Sequence, residues 1–182
     1  MSERDIALIY FAAREMEQPW RTMVALLILT GASVSDIRAL EARHIDWANG
    51  TFATKHFVER PAQWEPLSDL ALQVLSEVSG SADLVFRSSR KGCAGPIELR
   101  PSIRRALQEQ TETSDWSWYD LVKSVRARIR SIDDPVHGVR ADPTEPDWRI
   151  HARARANAWA NGLGLAREKA LAARVSEAEI VL

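Results

Sequence analysis

Cysteine is nearly missing from this chain. Cys93 stands alone among 182 residues, which excludes an internal disulfide and any cysteine-built metal cluster. The four histidines (His44, His56, His137 and His151) never fall in an H-x-x-x-H or H-E-x-x-H spacing, so no metal and no cofactor is expected. Long hydrophobic runs are absent too. The longest, 23–29 (MVALLIL), is too short for a bilayer, and no membrane partner is expected. The N-terminus, MSERDIALIY, carries acidic residues where a secretory signal needs basic ones, which points to a cytoplasmic protein. A surplus of either charge is also missing, since the net charge is −1. That excludes a protein coated in positive potential and confines any anion-binding surface to a local patch.

What is present is enough apolar residue, 46%, for a real core. The charge is unevenly spread. Residues 1–98 hold ten Lys/Arg against thirteen Asp/Glu, a balance of −3, and residues 99–182 hold fourteen against twelve, a balance of +2. A local basic surface therefore belongs to the second half.

Periodicity predicts a first helix over about 3–17, with Ser2 and Asp5 forming a capping box and Ile6, Ile9, Tyr10 and Ala13 on one face. A second helix, about 20–30, is apolar nearly all round, which predicts a central buried helix stopped by Gly31. A third runs over about 34–43. The period then shortens. HIDWANGTFAT carries an Asn49-Gly50 turn, and residues 51–58 and 63–67 flank Arg60-Pro61, giving an antiparallel sheet of two or three strands. Ser68 caps a further helix with Leu72, Leu75 and Val78 on one side. Residues 79–99 read as loop, followed by helices over about 101–112 and 117–132. Three prolines and a glycine mark a linker over 133–147. Two last helices, about 148–160 and 165–179, are separated by Asn161-Gly162. The fold class is thus α+β, mostly α-helical, divided as 1–132, a linker at 133–147 and a helical tail at 148–182.

The order of these parts resembles the catalytic domain of tyrosine recombinases, the phage integrases. That family's T-G-x-R-x-x-E-x-x-x-L signature stands here as TGASVSDIRAL, with Thr30, Gly31, Asp36 and Leu40 in place. HIDWANGT matches its strand entry, Pro66-Leu67-Ser68 its next helix start, Leu84-Val85-Phe86 its short apolar segment, and 119–124 (YDLVKS) its H-x-L-R-R-T helix. The resemblance covers about residues 5–130 and implies an integrase catalytic fold that acts on DNA. It also implies what is gone. The family's two arginines fall on Ser33 and Val122, its histidine on Tyr119 and its hairpin lysine at or near Val58. The only tyrosines are Tyr10 and Tyr119, with none where the nucleophile lies. Neighbouring cations offer no direct replacement at the first arginine. Arg38 lies five residues past Ser33, about 140° round a helix, and points elsewhere. The expectation is therefore a pseudoenzyme without recombinase activity.

Candidate DNA contacts are Lys123, Arg126 and Arg130, spaced i, i+3 and i+7 on one helix opposite Val122, Val125, Ile129 and Ile132. Lys55, Arg60, Arg87, Arg90 and Lys91 are weaker candidates on the hairpin and loop. Trp116 and Trp118 are expected in the core, with Tyr119 filling the space of the family's histidine. Ser33, followed by Asp36 at N3, reads as a helix cap. The expected partner is double-stranded DNA, bound by a non-catalytic regulator or competitor of recombination. A protein-interaction module on the same scaffold is the alternative, and an active recombinase with unorthodox residues a remote third. The apolar tail is expected to pack either on its own chain or on a second copy in a homo-oligomer.

Overall fold

Thr22 to Leu29, seven apolar side chains and one threonine, are all fully buried, and they make helix α2 (Trp20–Thr30) the axis of the molecule. A computed structural model of the protein describes residues 1–54, 63–78, 84–87, 95–113, 115–132 and 148–180. Around α2 pack α1 (Glu3–Arg14), α3 (Val34–Arg38), α4 (Asp69–Ser76), α6 (Trp118–Ser131) and α7 (Trp148–Ile180), while α5 (Pro101–Thr111) packs on α1. Strands β1 (Ile45–Asp46), β2 (Thr51–Thr54) and β3 (Gln63–Pro66) form one antiparallel sheet in the order β1-β2-β3. The architecture is α+β and mostly helical.

Local chemistry places most helix starts. Ser2 and Asp5 form a complete capping box on α1, and Ser117 with Asp120 does the same on α6. Ser68 accepts the Ala71 N–H at the start of α4. Gly31 ends α2 at φ +65°, a left-handed conformation in which a side chain is strained. Between β1 and β2, Gly50 also has positive φ, and Asp46 accepts from both the backbone N–H and the side-chain amide of Asn49. The register then pairs Ile45 and Glu65 with Phe52.

Three expectations are corrected. The third helix stops at Arg38, because the chain leaves it to pair with 84–85: the Leu40 carbonyl accepts from the Val85 N–H, and Glu41 bridges Leu84. Residues 84–87 are accordingly not plain loop. They place Phe86 in the core, and Arg87 bridges Pro96. On α4 the buried side is Ala71, Val74 and Leu75, with Leu72 and Val78 at its border. The third correction is the largest. The tail forms one helix through Asn161-Gly162, about 50 Å long at 1.5 Å per residue. Each glycine inside a helix costs roughly 0.5–1 kcal/mol relative to alanine. Here that cost is outweighed by tertiary burial, since Ala156, Trp159, Ala160 and Leu163 enter the same core as α1 and α2. The tail thus packs on its own chain. The second strand ends at Thr54 within the described residues, and the 55–62 hairpin end lies outside them.

The C-terminal end of α2 is closed by side chains from far along the sequence. Trp159 Nε1–H donates to the Ile28 carbonyl at 2.7 Å. Arg126 donates through Nε and Nη2 to the Gly31 carbonyl at 3.1 and 2.9 Å. A Cβ on Gly31 would stand 3.3 Å from the Arg126 backbone, so α6 approaches at the one residue without a side chain. On the far side of α4, Asp69 is held by Arg153 and Asn157 of α7.

Two stability outcomes follow. Gly31→Ala loses about 1–2 kcal/mol from the left-handed conformation alone, with the α6 contact adding to it, as read by urea unfolding. Trp159→Phe keeps most of the buried volume but leaves the Ile28 carbonyl unpaired, and loses about 1–3 kcal/mol in the same measurement.

Candidate nucleic-acid interface

Helix α6 turns its apolar side inward: Leu121 and Val125 are fully buried and Val122 is only 8% exposed. The opposite side carries Tyr119, Lys123, Arg126 and Arg130, at i, i+4, i+7 and i+11, all exposed. They line one stripe about 16 Å long at 1.5 Å per residue. Among the described residues, Lys123 and Arg130 make no hydrogen bond and no ion pair within 4 Å. Many other arginines are spent inside the fold: Arg14 and Arg21 on Glu77, Arg38 on the Ile97 carbonyl and Glu98, Arg104 on Asp115 and the Trp116 carbonyl, Arg128 on the Met1 carbonyl. Arg126 belongs to both groups. Nε and Nη2 hold Gly31, and Nη1 carries no bond among the described residues.

The positions that the resemblance aligns with the family's catalytic residues do structural work here or lie away from the stripe. Ser33 caps α3: its hydroxyl accepts the Asp36 N–H at 3.2 Å and donates to the Asp36 carboxylate at 2.6 Å. The reciprocal bond of a full capping box, carboxylate to Ser33 N–H, is not formed. Val122 is core. Tyr119 does not fill an interior space. It is 72% exposed, because it is the second residue of α6 and Trp116, edge-on to Trp118, already occupies the core position beside it. Tyr10, the other tyrosine, is buried, and burial pushes its phenol above the ordinary value. Arg38 points to the 97–98 segment, away from the α6 stripe. Arg87 is exposed. Val58, Lys55, Arg60, Arg90 and Lys91 lie outside the described residues.

The stripe has an acidic neighbour that the sequence did not single out. Glu65 lies on β3 directly opposite Phe52, on the sheet face that carries buried Phe52 and Ile45. Burial raises its carboxyl pKa, partly offset by the Arg126 and Arg130 charges and reinforced by Asp36. The strand was legible in the sequence, but the side of the sheet was not, because β-alternation has meaning only once the register with Phe52 is known. At the other end of the stripe, fully exposed Asp120 is held below the ordinary carboxylate value, first by the Ser117 hydroxyl, then by the Ser117 N–H, with Lys123 contributing. Two carboxylates thus feel the row of cations, Asp120 through Lys123 and Glu65 through Arg126 and Arg130.

No group of three or more His, Cys, Asp or Glu side chains is arranged to hold a metal among the described residues. No helix among them is long and apolar enough to cross a membrane. No family model matches the chain, and no curated protein matches it in sequence.

The sign of the Glu65 effect is fixed by its direction. A carboxyl whose folded-state pKa is raised takes up a proton on folding, so its charge costs stability as pH rises through that value. Glu65→Gln therefore raises the melting temperature at neutral and alkaline pH. The gain shrinks as pH falls toward the ordinary glutamate value of about 4.3, which a pH series of thermal melts measures.

Proposed function

We propose that this chain is a non-catalytic DNA-binding protein on an integrase-like scaffold, a regulator or competitor of recombination at a DNA site. The observation that carries the reading is the α6 stripe: Lys123 and Arg130 are exposed and make no hydrogen bond or ion pair among the described residues, with the free edge of Arg126 between them and an exposed Tyr119 in line. Cations so placed suit a phosphate backbone, where each neutralised phosphate releases counterions and adds affinity at low salt. Guanidinium groups also match phosphate oxygens in a bidentate way.

The same positions argue against phosphoryl transfer. That chemistry depends on donors aimed at the charged transition state. Ser33 is occupied as a cap and Val122 has nothing to donate. Of the two tyrosines, one is buried, and neither stands beyond residue 119, where the resemblance puts the nucleophile. A protein-interaction module without nucleic acid is the second reading. The net charge of −1 and the carboxylates flanking the stripe favour it.

Fluorescence anisotropy with labelled duplex DNA separates the two. Binding at low salt that weakens steeply as salt rises is the expected result. Lys123→Ala with Arg130→Ala flattens the slope of log affinity against log salt by about 1.8, two phosphate contacts' worth. An interaction module gives no salt-dependent affinity, and unchanged binding by the double variant would remove α6 as the contact. Arg126 is left intact in this test because its loss opens the α2 terminus.

A further inference from the structure

The first stretch of α7 has two sides, and each is fixed by a bond. Arg153 and Asn157, at i and i+4, both reach Asp69 at the start of α4. Arg153 Nη2 donates to one carboxylate oxygen and Asn157 Nδ2 to the other, the latter at 3.0 Å. Asn157 Oδ1 in turn accepts the Asp69 N–H at 2.8 Å. The Arg153 guanidinium also lies against the turn between β1 and β2, where Nη1 would stand 2.9 Å from a Cβ on Gly50. Trp159 marks the other side, with its indole N–H on the Ile28 carbonyl. Arg155 stands one turn before Trp159 on that side. It is about 160° round the helix from both Arg153 and Asn157, so the Asp69 carboxylate is taken up on the opposite side of α7.

What Arg155 presents is a complete fork without an acceptor. Its Nε and Nη2 are both shut off from solvent, and neither has a hydrogen-bond partner. No ion pair engages the guanidinium among the described residues. The two nitrogens share one edge of the group, the same edge with which Arg126 holds the Gly31 carbonyl. Their N–H bonds run side by side, the spacing that two oxygens of a carboxylate or phosphate match. A buried, charged donor pair left unmade is costly, and folded chains rarely keep one without a use. A water molecule would accept a hydrogen bond there but leave the charge uncompensated, whereas an oxyanion answers both needs. We propose that the Nε/Nη2 edge of Arg155 is the receptor for a small oxyanion, a phosphate or a carboxylate group, on the Trp159 side of α7. Arg155 as a whole is only partly buried, which gives a small ligand a way in. The site uses none of the α6 cations and does not rest on the DNA-binding reading.

Thermal melts of the full chain test this, with inorganic phosphate or acetate titrated against sodium chloride of equal ionic strength. The wild type is expected to show a saturable rise of about 3 °C with at least one of the two anions and none with chloride. Arg155→Met, which keeps the stem without the charge, loses that rise and melts no lower than the wild type in chloride, since no bond is broken. Arg155→Lys keeps the charge without the fork and loses most of the rise. A response to phosphate alone assigns the ligand as a phosphate group, and a response to acetate alone as a carboxylate. No rise in the wild type, or an equal rise in Arg155→Met, overturns the proposal. So does an Arg155→Met chain that melts well below the wild type in chloride, because the guanidinium then already has a partner. A full rise in Arg155→Lys overturns the fork.

Discussion

The terminal carbonyls of α2 are the constraint on which this structure depends. A helix always ends with carbonyls that its own N–H groups cannot reach, and usually water takes them. Here α2 is buried from Thr22 to Leu29, so its end must be satisfied by protein. The Leu26 carbonyl takes the Thr30 hydroxyl, the Leu27 carbonyl the Gly31 N–H, the Ile28 carbonyl Trp159, and the Gly31 carbonyl Arg126. The last two donors are 131 and 95 residues away in sequence. One end of one helix thereby fixes where α6 and α7 lie. The Arg126 guanidinium adds its charge where the helix dipole is negative, which strengthens the same contact.

The candidate interface inherits its layout from that closure. Because α6 is pinned to Gly31 through Arg126, the residues one turn to either side, Lys123 and Arg130, are carried to the surface in a fixed line. The middle cation of the row is partly committed and the outer two are not. Arg126 therefore bears on stability, whereas Lys123 and Arg130 make no hydrogen bond or ion pair among the described residues.

Short-range chemistry was readable from the residues. The caps at Ser2, Ser33 and Ser68, the stop at Gly31 and the turn at Asn49-Gly50 each involve groups within a few residues of one another. Their geometry is set by backbone sterics and one hydrogen bond. The buried character of α2 was readable for the same reason, since MVALLIL leaves no polar side to face water. Readings that failed required knowledge of distant partners. Asn161-Gly162 is a break signal in isolation, yet Trp159 and Leu163 anchor the helix on both sides of it. The helix over 34–43 satisfied local propensity, but the strand-like pairing of Leu40 and Glu41 with 84–85 took its second half. Tyr119 was expected to fill the interior space of the family's histidine, but Trp116 takes the core position beside it and Tyr119 is left in solvent.

For the site, the cationic spacing of Lys123, Arg126 and Arg130 was determined by the sequence, because i, i+3 and i+7 lie on one side of any helix. So was the absence of a tyrosine beyond residue 119. Only the tertiary structure decided that Arg126 closes a helix end while Lys123 and Arg130 make no hydrogen bond or ion pair among the described residues, and that Glu65 lies on the sheet face of buried Phe52. Both depend on which segments meet across about a hundred residues, and on a strand register that alternation alone leaves open. Helix faces and caps are properties of short stretches. The partner of a charge belongs to the packed chain.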